Sequence, residues 1–312
     1  VFGAASQHNR DLGPTSNRGK EEGIVLTDEI IRDSRLANRR LAKGHYENFV
    51  ITSCFLPRRF HQAFFDIYAF CRTADDLADE SASPDDALRG LDSMEQDLEI
   101  AIQSNTHAKP ERLLFFALAD TIQRFRLSDQ PFRDLLGAFR QDQFKVQYET
   151  ESELLQYCER SANPVGRILL NMVGEVSEKS LELSDSICTG LQLVNFLQDI
   201  EEDYRRGRIY LPANERERFS VNLESRHDNQ GQAALRELVR FRCNDAKSYL
   251  EKGLGLTSHV PSWFSRTVRL FVAGGLETIR AIENQDYNVM SGRPKVSKAK
   301  QLWLLCRAAF NC

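Results

Sequence analysis

The sequence lacks most of the features that mark a function class at sight. Its 312 residues carry 41 Lys and Arg against 45 Asp and Glu, a formal charge of −4. There is no basic excess of the kind that follows a phosphate backbone, so nucleic acid is not expected as a partner. No run approaches the roughly 18–20 consecutive apolar residues of a spanning helix, and residues 1–23 lack the apolar stretch of a secretory signal. The expected location is therefore the cytoplasm. Seven cysteines (Cys54, Cys71, Cys158, Cys188, Cys243, Cys306 and Cys312) form no CxxC pair, which argues against a thiolate zinc site or a disulfide framework. The six histidines show neither HxxxH nor HExxH spacing. GxxxxGK[ST], GxGxxG and GxSxG are all missing, which leaves nucleotide-loop and serine-hydrolase readings without support and predicts no nicotinamide cofactor. With nine prolines and no regular period-2 runs, a strand-rich fold is also unsupported.

What is present is helical periodicity. Apolar residues recur at spacings of three and four along most of the chain, so the fold class is all-α. Residues 1–23, rich in glycine and polar groups, read as a flexible tail ahead of one domain spanning 24–312. Thr27, followed by Asp28 and Glu29, reads as an N-cap, and Pro57 opens a second long helix. Further helices are expected near 85–104, 110–127, 131–147, 151–174, 178–204, 230–253, 262–285 and 297–309. Lys298, Lys300 and Arg307 around Leu302, Trp303, Leu304 and Leu305 suit an interfacial helix, or a terminal helix packed on the core.

The helix after Pro57 carries two stripes. Phe60, Phe64, Ile67, Cys71, Ala74 and Ala78 make an apolar face, and beside it Tyr68, Arg72, Asp75 and Asp79 project along one line. Asp76 and Glu80 crowd the same turns, so this acidic stretch requires a positive partner. From Ser186 to Ile200 a second helix is apolar around much of its circumference, yet Gln192, Asn195 and Asp199 form a polar line continuing to Asp203. Buried polar groups need partners, so this line should face a cavity, a ligand or another polar helix. Arg205, Arg206 and Arg208 follow in a basic turn suited to phosphate oxygens. A lone acidic pair on a helix more often reads as a solvated face or an i,i+4 partner set. Two such pairs with arginines nearby suit magnesium, which takes oxygen ligands and bridges carboxylates to substrate phosphates. A diphosphate bound this way becomes a good leaving group.

The segments YAFCRTADDLADE (68–80) and QLVNFLQDIEEDYRRGRIYLP (192–212) closely resemble the two signatures of the squalene and phytoene synthases. The likeness runs from about residue 44 to 308 and includes YCERSANPVG (157–166) and YNVMSGRPKVSKAKQLWLL (287–305). It implies a single-domain isoprenoid-synthase fold with helices around a central cavity that binds Mg2+, or Mn2+, and a prenyl diphosphate. Carried over by position, it implies Asp75, Asp79, Asp199 and Asp203 as metal ligands. Arg72 and Arg208 would hold diphosphate, Gln192 and Asn195 would contact the substrate head, and Tyr68, Tyr157 and Tyr210 would line the reacting end. His45 to Phe49 and Ser161 to Arg167 look most like the hydroxysqualene synthases of bacterial hopanoid pathways. Gln198 stands where many carotenoid relatives have Arg. The resemblance thus implies ionisation of presqualene diphosphate and capture of the cation by water, a lyase reaction giving hydroxysqualene. Tyr68, Gln192 and Asn195 are the polar groups expected to hold that water. Two alternatives stay open: a transferase that joins two farnesyl-type diphosphates head to head into presqualene diphosphate, dehydrosqualene or phytoene, and a catalytically silent helical scaffold. Expected partners beyond the substrate are the neighbouring squalene-pathway enzymes, by hand-over, and the inner face of the membrane, by peripheral contact.

Overall fold

The computed structural model describes residues 18–44, 56–103, 109–297 and 299–300, with side chains of the first helix from residue 28 onward. Among these residues there are twelve α-helices and no β-strand; a single parallel bridge joins Gln147 and Ile209. The helices are α1 (Arg18–Gly44), α2 (Arg58–Glu80), α3 (Pro84–Ile102), α4 (Leu114–Phe125), α5 (Gln130–Gln141) and α6 (Glu151–Ser161). They continue as α7 (Asn163–Val173), α8 (Glu178–Gln198), α9 (Ile200–Arg205), α10 (Ala213–Arg218), α11 (Asn229–Gly253) and α12 (Ser262–Asn284). The all-α class read from periodicity is the class observed.

Several boundaries differ from the expected ones. The first helix begins at Arg18, so residues 18–23 are not tail and Thr27 lies inside the helix rather than capping it. Lys20, Glu21 and Glu22 are good helix formers, and they extend the helix upstream through the glycines. Residues 1–17, the His45–Phe49 segment and the terminal stretch around 301–312 lie outside the described residues. The expected helix 151–174 is two helices, interrupted at Ala162 (φ −121°, ψ −50°) where Pro164 begins the next. Glu178–Arg205 is likewise broken, at Asp199 (φ −106°, ψ 10°).

Two long helices organise the packing. α2 lies among α1, α3, α4 and α5, with Phe64, Ile67, Phe70 and Ala74 fully buried. Phe70 meets Phe115 and Phe132 edge-on, the arrangement ring quadrupoles favour. α8 lies among α6, α7, α11 and α12. Small residues let these backbones close up: a Cβ built on Gly166 would stand 2.4 Å from Ser184 Oγ and 2.7 Å from Cys188 Sγ. Buried polar groups on the α2 side are satisfied together. Asp66 accepts from Asn38 (2.8 Å), Thr121 (2.8 Å) and Gln62 (2.9 Å), tying α1 and α4 to α2. Burial pushes the Asp66 carboxyl above its ordinary pKa, and these donors pull it back.

Candidate active site

The C-terminal ends of α2 and α8 converge. Arg72 on α2 answers the expected need for a positive partner within its own helix: it pairs with Asp75 at 3.1 Å, with Asp76, and with Glu80 at 3.7 Å. Asp79, one turn further, is gripped from the other acidic segment by Arg206 at 2.6 Å and Arg208 at 2.7 Å. Arg206 is half exposed, so its bond contributes little, whereas the half-buried Arg208–Asp79 pair is screened less.

The turn that delivers Arg208 has a local cause. After α9, Gly207 adopts φ +78°, the left-handed conformation for which glycine has no Cβ penalty. The Arg208 amide then donates to the Asp203 carbonyl (2.8 Å) and the Gly207 amide to that of Tyr204 (3.0 Å), the Schellman pattern. The chain next runs beside residues 146–149, where Ile209 donates to Val146 (2.6 Å) and Ala213 to Tyr148 (2.9 Å). This pairing brings Tyr210 onto Tyr148 and Tyr157. Phe196 and Tyr210 stack with centroids 4.1 Å apart and planes 9° from parallel, and Tyr157 lies 5.8 Å from Tyr210.

Burial controls the acids beneath this mouth. The Asp203 carboxyl is pushed up to about 7 by burial and by the charge of Asp199, with Arg208 and Arg206 opposing. Asp142, at the end of α5, is pushed up to about 7 by burial, against a 2.6 Å hydrogen bond from the Tyr157 hydroxyl and the charge of Arg208. Its other oxygen, Oδ1, is buried without a partner. Burial, then the Asp142 charge, holds Tyr157 well above the usual phenol pKa. Burial opposes the charge of Arg208, but the bond to Asp79 together with the charges of Tyr210, Asp79 and Asp142 outweighs it and raises its pKa. Asp199 is clasped by Arg293, whose Nη2 donates at 2.9 Å, while Gln198 beside it donates to the Pro294 carbonyl. Among the described residues no three His, Cys, Asp or Glu side chains converge as a ready-made metal site.

Two helical turns before Asp199, about 10 Å along the axis, Gln192 lines a cavity of about 210 Å³. Its walls are mainly apolar: Val165, Leu169, Leu191, Phe264, Val268 and Phe271. That volume exceeds the roughly 150 Å³ that admits benzene in an apolar core.

The sequence-derived site residues therefore divide. Arg208, Asp79 and Asp203 form one electrostatic cluster with Asp142, and Tyr157 and Tyr210 form one aromatic stack. Arg72 and Asp75 stand beside the cluster on α2. Tyr68, one turn before Arg72 on α2, packs with Ala42 and Phe65 and is not part of the Tyr157–Tyr210 stack. Asn195 is exposed, whereas Gln192 lines the cavity. Sequence reasoning missed Asp142, Tyr148 and Arg293. Asp142 looks like any polar residue of an amphipathic helix, and Arg293 lies in the quoted C-terminal segment with no spacing to single it out.

A profile of the squalene/phytoene synthases matches residues 42–300. The chain belongs to the squalene/phytoene synthase family. Members of this family are enzymes acting on prenyl diphosphates such as farnesyl diphosphate. The chain is 29% identical over 282 residues to a 15-cis-phytoene synthase of Synechocystis, covering 86% of this chain and 82% of that protein. It is 31% identical over 245 residues to a phytoene synthase of Mycobacterium tuberculosis, covering 77% and 75%. Among solved structures, the squalene synthase HpnC from Alicyclobacillus acidocaldarius shares 37% identity at a TM-score of 0.75, covering 83% of this chain and 96% of that one. A ligand-bound dehydrosqualene synthase shares 26% identity at a TM-score of 0.81, covering 91% and 98%. No helix among the described residues is long and apolar enough to cross a membrane.

Proposed function

We propose that this enzyme ionises presqualene diphosphate and captures the rearranged carbocation with water, releasing hydroxysqualene and diphosphate in squalene and hopanoid biosynthesis. The observation that carries the reading is the arrangement along α8, where a carboxylate and guanidinium cluster sits about two turns from an apolar cavity. A substrate with a diphosphate head and a long hydrocarbon body has those two needs. Identity to HpnC, at 37% against 26–31% for the dehydrosqualene and phytoene synthases, supports the hydroxysqualene branch.

Asp75, Asp79, Asp199 and Asp203 would hold Mg2+, with Mn2+ as substitute. The donor set fits, because every candidate ligand is a hard carboxylate oxygen. Asp203 fits further, since a cation relieves the burial and the Asp199 repulsion that raise its pKa. When bound, the cation neutralises charge developing on the departing diphosphate. Arg72 and Arg208 hold diphosphate oxygens through paired N–H donors, and Arg206 and Arg293 are placed to join them. Tyr157, Tyr210 and Phe196 offer ring faces to a carbocation. Gln192 and, one turn nearer Asp199 on the same line, Asn195 face the substrate head. Tyr68 keeps the place on α2, one turn before Arg72, that the resemblance gives to the reacting end. No hydride is required, so no nicotinamide enters.

Head-to-head condensation is the second reading, favoured by the phytoene synthase relatives. Purified enzyme with Mg2+ in oxygen-18 water, without nicotinamide, separates the two. Presqualene diphosphate should yield a C30 alcohol bearing the label. An unlabelled hydrocarbon, or efficient consumption of farnesyl diphosphate alone, would move the assignment to condensation.

A further inference from the structure

Water capture needs a water held inside an apolar cavity, and an isolated water there needs two to four polar partners. Of the three side chains expected to hold it, Tyr68 and Asn195 are not among those that line this cavity: Tyr68 packs with Ala42 and Phe65, and Asn195 is exposed. Gln192 remains. A second polar group on the cavity wall was not anticipated. Ser161, the last residue of α6, lines the cavity with Gln192, and its Oγ is buried with no hydrogen-bond partner among the described residues. A buried hydroxyl left without a partner loses its bonds to water and gains none in return, so such a group calls for a ligand.

Its placement is chemically apt. Ser161 follows Tyr157 by four residues, one turn along the same face of α6, and Tyr157 touches the aromatic stack and Asp142. Gln192 precedes Asp199 by two turns on α8. Both polar groups therefore sit on the cavity side of the carboxylate mouth, where the cationic end of an ionised substrate would lie.

We propose that Ser161, together with Gln192, positions the water that quenches the carbocation and so decides alcohol against hydrocarbon. This rests on the function proposed above. Ser161 Oγ and the Gln192 amide hold the water oxygen with a lone pair free. As the substrate C–O bond breaks, its electron pair leaves with diphosphate. The cyclopropane bonds beside the cation then shift and open, placing the charge on an allylic carbon; the water oxygen donates its lone pair there, forming the new C–O bond, and its proton passes to diphosphate, the base that the reaction itself supplies. Without an ordered water, the same base removes a carbon-bound proton and the product is a C30 polyene.

The test compares Ser161→Thr with Ser161→Val, side chains of nearly equal shape that differ in the hydroxyl. The substrate is presqualene diphosphate in oxygen-18 water, and the readout is the ratio of labelled alcohol to hydrocarbon, which a purely structural role would not move. Ser161→Thr should keep the wild-type ratio, and Ser161→Val should lower it at least tenfold. Ser161→Ala, which adds no bulk, should behave as Val does and serves if the branched side chains disturb the helix end. Equal ratios in wild type, Val and Ala would overturn the assignment while leaving the proposed reaction standing. A wild-type enzyme that makes no labelled alcohol would instead overturn the reaction, and this assignment with it.

Discussion

Replacing Asp142 with Asn should stabilise the protein, and the gain should grow with pH. Asp142 is 8% exposed, its Oδ1 has no partner, and burial pushes its carboxyl from an ordinary 3.8 to about 7. Below pH 3.8 the group is protonated in both folded and unfolded chains, so it imposes no pH-dependent cost. Between 3.8 and about 7 the unfolded chain releases the proton while the folded chain retains it, and stability falls as pH rises. Above about 7 the full penalty is present. At about 1.4 kcal/mol per pH unit, that interval corresponds to roughly 4 kcal/mol. Asn keeps an oxygen to accept from Tyr157 but cannot ionise, so Asp142→Asn escapes the penalty. The attraction of Arg208 is already contained in the shift to about 7, but the new amide N–H groups must themselves find partners where Oδ1 has none, so about 4 kcal/mol is a ceiling. Urea unfolding of wild type and variant at pH 5, 6, 7 and 8 measures the difference. A stability difference that stays flat across this range, or one that favours wild type increasingly above pH 7, would refute the reasoning.

Three further outcomes are expected. Asp75→Ala and Asp199→Ala should each lower turnover by orders of magnitude while the helical circular-dichroism spectrum is kept; near-normal rates in both would return these acids to a solvated face. Turnover should vanish in excess chelator and return with Mg2+ or Mn2+, because four aspartates without a cation repel a diphosphate; full activity in chelator would remove the metal from the reaction. Gly166→Ala should destabilise by about 1–3 kcal/mol, because the added methyl would meet both Ser184 Oγ and Cys188 Sγ and push these side chains from their present rotamers; an unchanged melting midpoint would show that both side chains turn aside without cost.

The helical class and the faces of the two long helices were legible from residue spacing alone, because side-chain periodicity is a local property of a 3.6-residue turn. Phe60, Phe64, Ile67, Ala74 and Ala78 are buried as their spacing requires. Both aspartate pairs were likewise legible as lines, and the basic turn after Asp203 as their complement. Which arginine meets which carboxylate was not, since Asp79 with Arg208 and Asp199 with Arg293 join residues about a hundred positions apart. The break at Asp199, the packing of Tyr68 on Ala42 and Phe65, and the loss of solvent that raises the Asp142 and Asp203 carboxyls depend on how whole helices pack. The same holds for the partnerless hydroxyl of Ser161. Periodicity can place a serine on a face, but only the neighbouring helices decide whether that face meets water, a partner or an apolar cavity, because desolvation is set by the atoms that surround a group in space and not by those beside it in the chain.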